Sequence, residues 1–89
     1  MMRLKENKKL LAFVSKILNY NDILRDKEKR EPFLTSLTNT DTIFTEVDVV
    51  EVREIATFLL NNIDLFTLED DDKEETMNYC KKALTLLKS

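Results

Sequence analysis

Six carboxylates and one lysine fill seven consecutive positions: Glu69, Asp70, Asp71, Asp72, Lys73, Glu74 and Glu75. Carboxylates this dense suit acid–base catalysis by a pair, coordination of a hard cation, or docking of a basic partner. The spacing argues against a cation site, because calcium loops space out their oxygen ligands and use a glycine for the sharp turn, and neither pattern occurs here. A simpler role needs no ligand: at a helix start, the negative charges offset the positive end of the macrodipole. The surface reading takes Glu69, Asp70, Asp71, Asp72, Glu74 and Glu75 as candidate partner-binding residues. Phe66 and Phe44 join them as aromatics in connecting segments, which either seal the core or anchor a partner.

The other chemistry-bearing groups are Cys80 and the basic residues near the start, Arg3, Lys5, Lys8, Lys9 and Lys16. Cys80 shares a helical face with Met77, Leu84 and Leu87, which predicts a buried, inert thiol. A catalytic thiolate also needs a base, and the chain has no histidine. The basic residues can meet phosphate, but no aromatics are interleaved on their face and no base-reading motif follows, which argues against nucleic acid. No metal, cofactor or enzymatic activity is expected.

The same 89 residues contain no glycine, where average usage near 7% would give about six. Phosphate-cradling loops, dinucleotide fingerprints and two-residue hairpins lose their usual backbone chemistry without it. The missing histidine removes the commonest general base and metal ligand. Composition is 43% hydrophobic and 35% charged, which suits one small globular domain spanning 1–89. The lone cysteine cannot make an internal disulfide and no stretch reads as a signal peptide or membrane span, so a cytoplasmic location, in the cell of origin or a host cell, is expected.

Charge is unevenly placed. Residues 1–30 hold nine basic and four acidic groups, whereas residues 31–75 hold two basic and thirteen acidic ones. Such a division suits complementary packing between helices or a surface meant for a charged partner.

The elements that must position these groups read as helices. From Met2 to about Tyr20, Leu10, Val14, Ile17 and Leu18 share a face flanked by Phe13 and Leu11, a wide stripe suited to burial, with Lys5, Lys9 and Lys16 opposite. Asn19–Asp22 breaks the pattern, and Asn21 or Asp22 can cap a short helix from Ile23. Pro32 predicts a restart, since it lacks an N–H and pushes Glu31 out of the helical region. Phe33, Leu34 and Leu37 give that piece one apolar side, and Thr38–Asp41 ends it.

Residues 42–52 alternate like a strand at Ile43, Thr45, Val47 and Val49, yet no partner strand exists. Val49, Val52, Ile55, Ala56, Leu59 and Ile63 recur at helical spacing, so a helix is expected from about Glu46 to Asn62, with Thr45 and Asp48 in a capping arrangement. Asn61 and Asn62 stand where a left-handed cap would close it. Thr67 then caps a last helix whose buried stripe is Met77, Cys80, Leu84 and Leu87. The expectation is an all-α, compact bundle of four to five short helices in a single domain.

The stretch Leu65-Phe66-Thr67-Leu68-Glu69-Asp70, leading into a lysine-bearing helix, resembles the late helix of bacteriocin immunity proteins. That family consists of small cytosolic four-helix bundles that protect the producing cell. The likeness spans about Leu65 to Leu84 and implies no residue roles. Together these readings favour a small non-enzymatic protein that binds another protein, of inhibitor, immunity or adaptor type. The alternatives are a homodimer, in which the basic and acidic regions pair between copies, and nucleic-acid binding through the lysines of the first helix.

Overall fold

The computed structural model describes residues 4–39, 43 and 45–87, with side chains from Asn7 onward. In chain order it contains α1 (Leu4–Leu24), α2 (Lys27–Thr38), α3 (Glu46–Asn61), a 3-10 turn at Ile63–Leu65, and α4 (Asp70–Leu87). The fold is an all-α bundle, and no strand occurs among the described residues. Its core gathers Leu24 from α1, Leu34 and Leu37 from α2, Ala56 and Leu59 from α3, Ile63 and Phe66 from the connection, and Cys80 and Ala83 from α4. Burying each of the larger side chains contributes roughly 1.5–3 kcal/mol. α4 is the central element, packed against both α2 and α3, and α1 joins mainly through α2, with aromatic contacts to α3.

The stretch expected to alternate as a strand or turn helical resolves as expected: α3 begins at Glu46 under a complete capping box. The Asp48 N–H donates to Thr45 Oγ1 at 3.1 Å, and the Thr45 N–H donates to Asp48 Oδ2 at 3.2 Å. Thr45 and Asp48 thus satisfy two donors that the first turn leaves without helical partners. Thr40, Asp41, Thr42 and Phe44 lie outside the described residues, as do Met2 and Arg3.

Four local expectations are corrected. α1 does not break at Asn19–Asp22; it continues to Leu24, with the Arg25 N–H donating to the Asn21 carbonyl at 3.0 Å, and the chain turns at Arg25–Asp26. Asp26 is the cap of the next helix, its Oδ1 accepting from the Glu28 N–H at 3.0 Å.

Pro32 does not restart a helix either, for α2 runs through it. A proline inside a helix costs about 3 kcal/mol, so packing must hold this one. Arg30, Leu34 and Leu37, spaced by four and three on one face, are all buried and anchor it.

The end of α3 uses no left-handed residue. No described residue has positive φ, and Asn62 sits at φ −117°, ψ 16°. Asn62 closes the helix by hydrogen bonding: its side-chain Nδ2 and its backbone N–H both donate to the Phe58 carbonyl, at 2.8 and 3.1 Å.

Finally, Thr67 does not cap α4, which starts three residues later; the carbonyl of Glu69 accepts the first bond, from the Lys73 N–H at 2.9 Å. The buried stripe of α4 is correspondingly rotated. Thr76, Cys80 and Ala83 are enclosed, while Met77, Leu84 and Leu87 are half-buried. The Thr76 hydroxyl is satisfied in the core by donating to the Asp72 carbonyl at 2.8 Å.

Candidate protein-binding surface

The acidic run divides into two sets because one basic residue lies beneath it. Arg30 is 2% exposed, and its position in the Arg30–Leu34–Leu37 stripe points it from α2 towards α4. Its Nη2 lies 3.0 Å from Asp72 Oδ1, its Nε 3.7 Å from Glu75 Oε1, and its Nη1 donates to the Leu24 carbonyl at 2.8 Å. Nε itself makes no hydrogen bond, since 3.7 Å is an ion-pair distance only. A buried guanidinium requires such partners, because desolvating an unpaired charge costs several kcal/mol. Asp72 and Glu75 are therefore counter-ions of Arg30 at the edge of the bundle, held to it while their side chains still reach water.

Lys73 is engaged as well, its Nζ 2.6 Å from Asp64 Oδ1. Exposed and without an ion pair to Arg30 are Glu69, Asp70, Asp71 and Glu74. They supply negative charge at the N-terminus of α4, which disfavours any anionic ligand there. Phe66 is 6% exposed and belongs to the core, so it seals the bundle and presents no anchor. Phe44 lies outside the described residues.

Cys80 is fully enclosed, and burial pushes its thiol up to about 12. Tyr20 is also raised by burial. Among the described residues no group of three or more metal-binding side chains converges.

The largest departure from expectation is on α1. The stripe expected to be buried splits along its length. Ile17, Tyr20 and Leu24 pack on the bundle, but every described residue from Asn7 to Lys16 is exposed. Leu11 is 65% exposed, Leu18 58%, Leu10 50% and Val14 44%. Periodicity shows how wide an apolar face is and not how much of it finds a neighbour. This face is wider than one contact can cover.

Where α1 does cross α3, aromatic rings hold it. Phe13 meets Phe58 edge-on with centroids 6.0 Å apart, and Tyr20 sits 5.7 Å from both Phe58 and Phe33. Lys16 Nζ lies 4.3 Å from the Phe58 ring centre, a cation–π contact. A second and smaller apolar patch, Val47 and Val50, faces water on α3 beside Glu46 and Glu51.

Sequence reasoning missed two things that matter here. Arg30 was legible in principle, since a charge at the first position of a four–three apolar spacing is placed to be buried. The exposure of Leu10, Leu11, Val14 and Leu18 left no comparable signal.

No family model matches this chain, and neither a curated protein nor a solved structure matches it. The resemblance of residues 65–84 to bacteriocin immunity proteins thus rests on the pattern of that stretch alone. None of the helices among the described residues is long and apolar enough to cross a membrane.

Proposed function

We propose that this protein is a non-enzymatic, cytoplasmic protein-binding module that works through the exposed apolar face of α1. The observation that carries this reading is the set Leu10, Leu11, Val14 and Leu18, four large apolar side chains clustered on one helix and each close to half exposed or more. Contiguous apolar surface of this kind marks sites where another molecule is meant to sit. Charge division supports it: Glu46, Glu51 and Glu54 on α3 and Glu69, Asp70, Asp71 and Glu74 at the start of α4 concentrate negative charge away from the lysine-bearing α1, a field that orients an incoming partner. An inhibitor, immunity or adaptor role suits a chain of this size and charge.

The enclosed, strongly protonated Cys80 and the engagement of Asp72 and Glu75 by Arg30 favour binding over catalysis.

The test is recovery of binding partners from native lysate with the wild-type chain and with a Leu11→Glu/Leu18→Glu variant, identified by mass spectrometry. A stoichiometric protein, the chain itself included, should be retained by the wild type and lost by the variant. Equal capture by both refutes the reading, as does no capture at any salt by a wild type that also stays monomeric at several hundred micromolar.

A further inference from the structure

Leu11, Val14 and Leu18 are spaced by three and four residues and so form one straight seam, the spacing of a two-helix coiled-coil contact. The charges around this seam are arranged in a particular way. Lys8 lies three residues before Leu11 and Asp22 four residues after Leu18; at 3.6 residues per turn both fall on the same flank, at opposite ends. Lys9 and Lys16 lie on the far side of the helix. The midpoints of Leu11 and Leu18, and of Lys8 and Asp22, both fall within one residue of Val14.

An antiparallel helix pair related by a two-fold axis keeps each flank facing its own equivalent and reverses the ends. Placed between Val14 and Ser15, such an axis brings Leu11 opposite Leu18, the two Val14 side chains next to each other, and Lys8 within one residue of the other chain's Asp22, at both ends.

We propose that the exposed seam of α1 is a self-association surface, packed antiparallel on the same seam of a second copy, with Lys8 of each chain against Asp22 of the other. This rests on the reading of α1 as a binding surface and names its occupant. A lipid surface fits less well. Helices that lie on anionic membranes gain from basic residues along their polar face, and Lys9 and Lys16 do stand there, but Asp22 puts a carboxylate at the edge of the seam itself and the chain as a whole is net negative. Asp22 already approaches Arg25 of its own chain at 3.6 Å, but both side chains are exposed and such a pair is worth little, so it yields to a better one. A single helix pair buries less than a standard interface of about 1,600 Å², the size class of weak and transient contacts.

Sedimentation of the full chain from low to several hundred micromolar tests this, with the wild type, Lys8→Glu, Asp22→Lys and an equimolar mixture of the two variants. Circular dichroism confirms that both variants fold. The wild type should dimerise, and each variant alone should do so about tenfold more weakly, because like charges now meet at both ends. The mixture should recover wild-type association, because opposite charges meet again in the mixed dimer. A mixture that stays as weak as its components overturns the proposed register. A wild type that remains monomeric throughout overturns self-association itself, as does a monomer that binds phosphatidylserine-containing vesicles instead. In either case, seam-dependent capture of a different protein from lysate would leave the binding-surface reading standing with another occupant.

Discussion

The Arg30 guanidinium and the Asp72 carboxylate meet 3.0 Å apart across the contact between α2 and α4, the arginine enclosed and the aspartate still reaching water. The inequality in burial sets which deletion costs more. Asp72→Ala strands an enclosed cation whose nearest remaining carboxylate, Glu75, is 3.7 Å away, and should cost about 3 kcal/mol, at the lower end for a broken buried pair because water can still reach the site. Arg30→Met leaves two carboxylates that can rehydrate and fills the space with an apolar chain of similar length, so it should cost less than Asp72→Ala. Urea unfolding of the two variants checks the order, and the reverse ranking would mean that Arg30 is held mainly by its hydrogen bond to Leu24.

Asn21 and Thr67 tie the last turn of α1 to the connection that precedes α4. The Thr67 N–H donates to Asn21 Oδ1 at 2.8 Å, and Asn21 Nδ2 donates to Thr67 Oγ1 at 3.0 Å. Each such bond contributes about 1 kcal/mol. Asn21→Ala should therefore destabilise by about 1–2 kcal/mol and, more tellingly, release the Thr67 amide. Hydrogen exchange at that amide should accelerate in the variant, while amides in the middle of α3 slow or quicken only with global stability. Unchanged protection of Thr67 would show that the bond forms without consequence.

These two contacts also show what the chain discloses by itself. The α3 boundaries were legible because Thr45, Asp48 and the Val49–Ile63 spacing act locally, over three or four residues. Asn21 and Thr67 each read as caps for the same local reason, and both are used across a separation of 46 residues, which no local rule contains. Pro32 misled in the opposite sense: its helix-breaking cost is real, but burial of Arg30, Leu34 and Leu37 outweighs it. The seam on α1 shows the limit most plainly, since amphipathicity gives the width of a face and only tertiary packing decides which part is covered.

The capping box offers a local check on α3. Thr45→Ala removes the acceptor for the Asp48 N–H and should cost about 1 kcal/mol. For a domain of this size that corresponds to a fall in Tm of about 4–8 °C. Thr45→Ser keeps the hydroxyl and should recover most of it. A Ser variant as unstable as the Ala variant would shift the cause from the cap to the lost methyl group.

Cys80 makes stability depend on alkaline pH. The thiol ordinarily ionises near 9.0, as it does in the unfolded chain, but burial in the core holds it protonated to about 12. Between these values the unfolded chain gives up a proton that the native state keeps, so unfolding is increasingly favoured as pH rises through the window. Below about pH 9 both states are protonated and the thiol contributes no pH dependence. Tyr20, also raised by burial, acts in the same direction. Cys80→Ala should cost about 1 kcal/mol at neutral pH through the lost sulfur, yet it removes the thiol's share of the alkaline slope. Urea midpoints at about pH 8 and about pH 10.5 should therefore differ less in the variant than in the wild type. If the two proteins lose stability in parallel over that interval, Cys80 ionises in the native state as readily as in the unfolded chain, and the enclosed thiol has no part in the alkaline response.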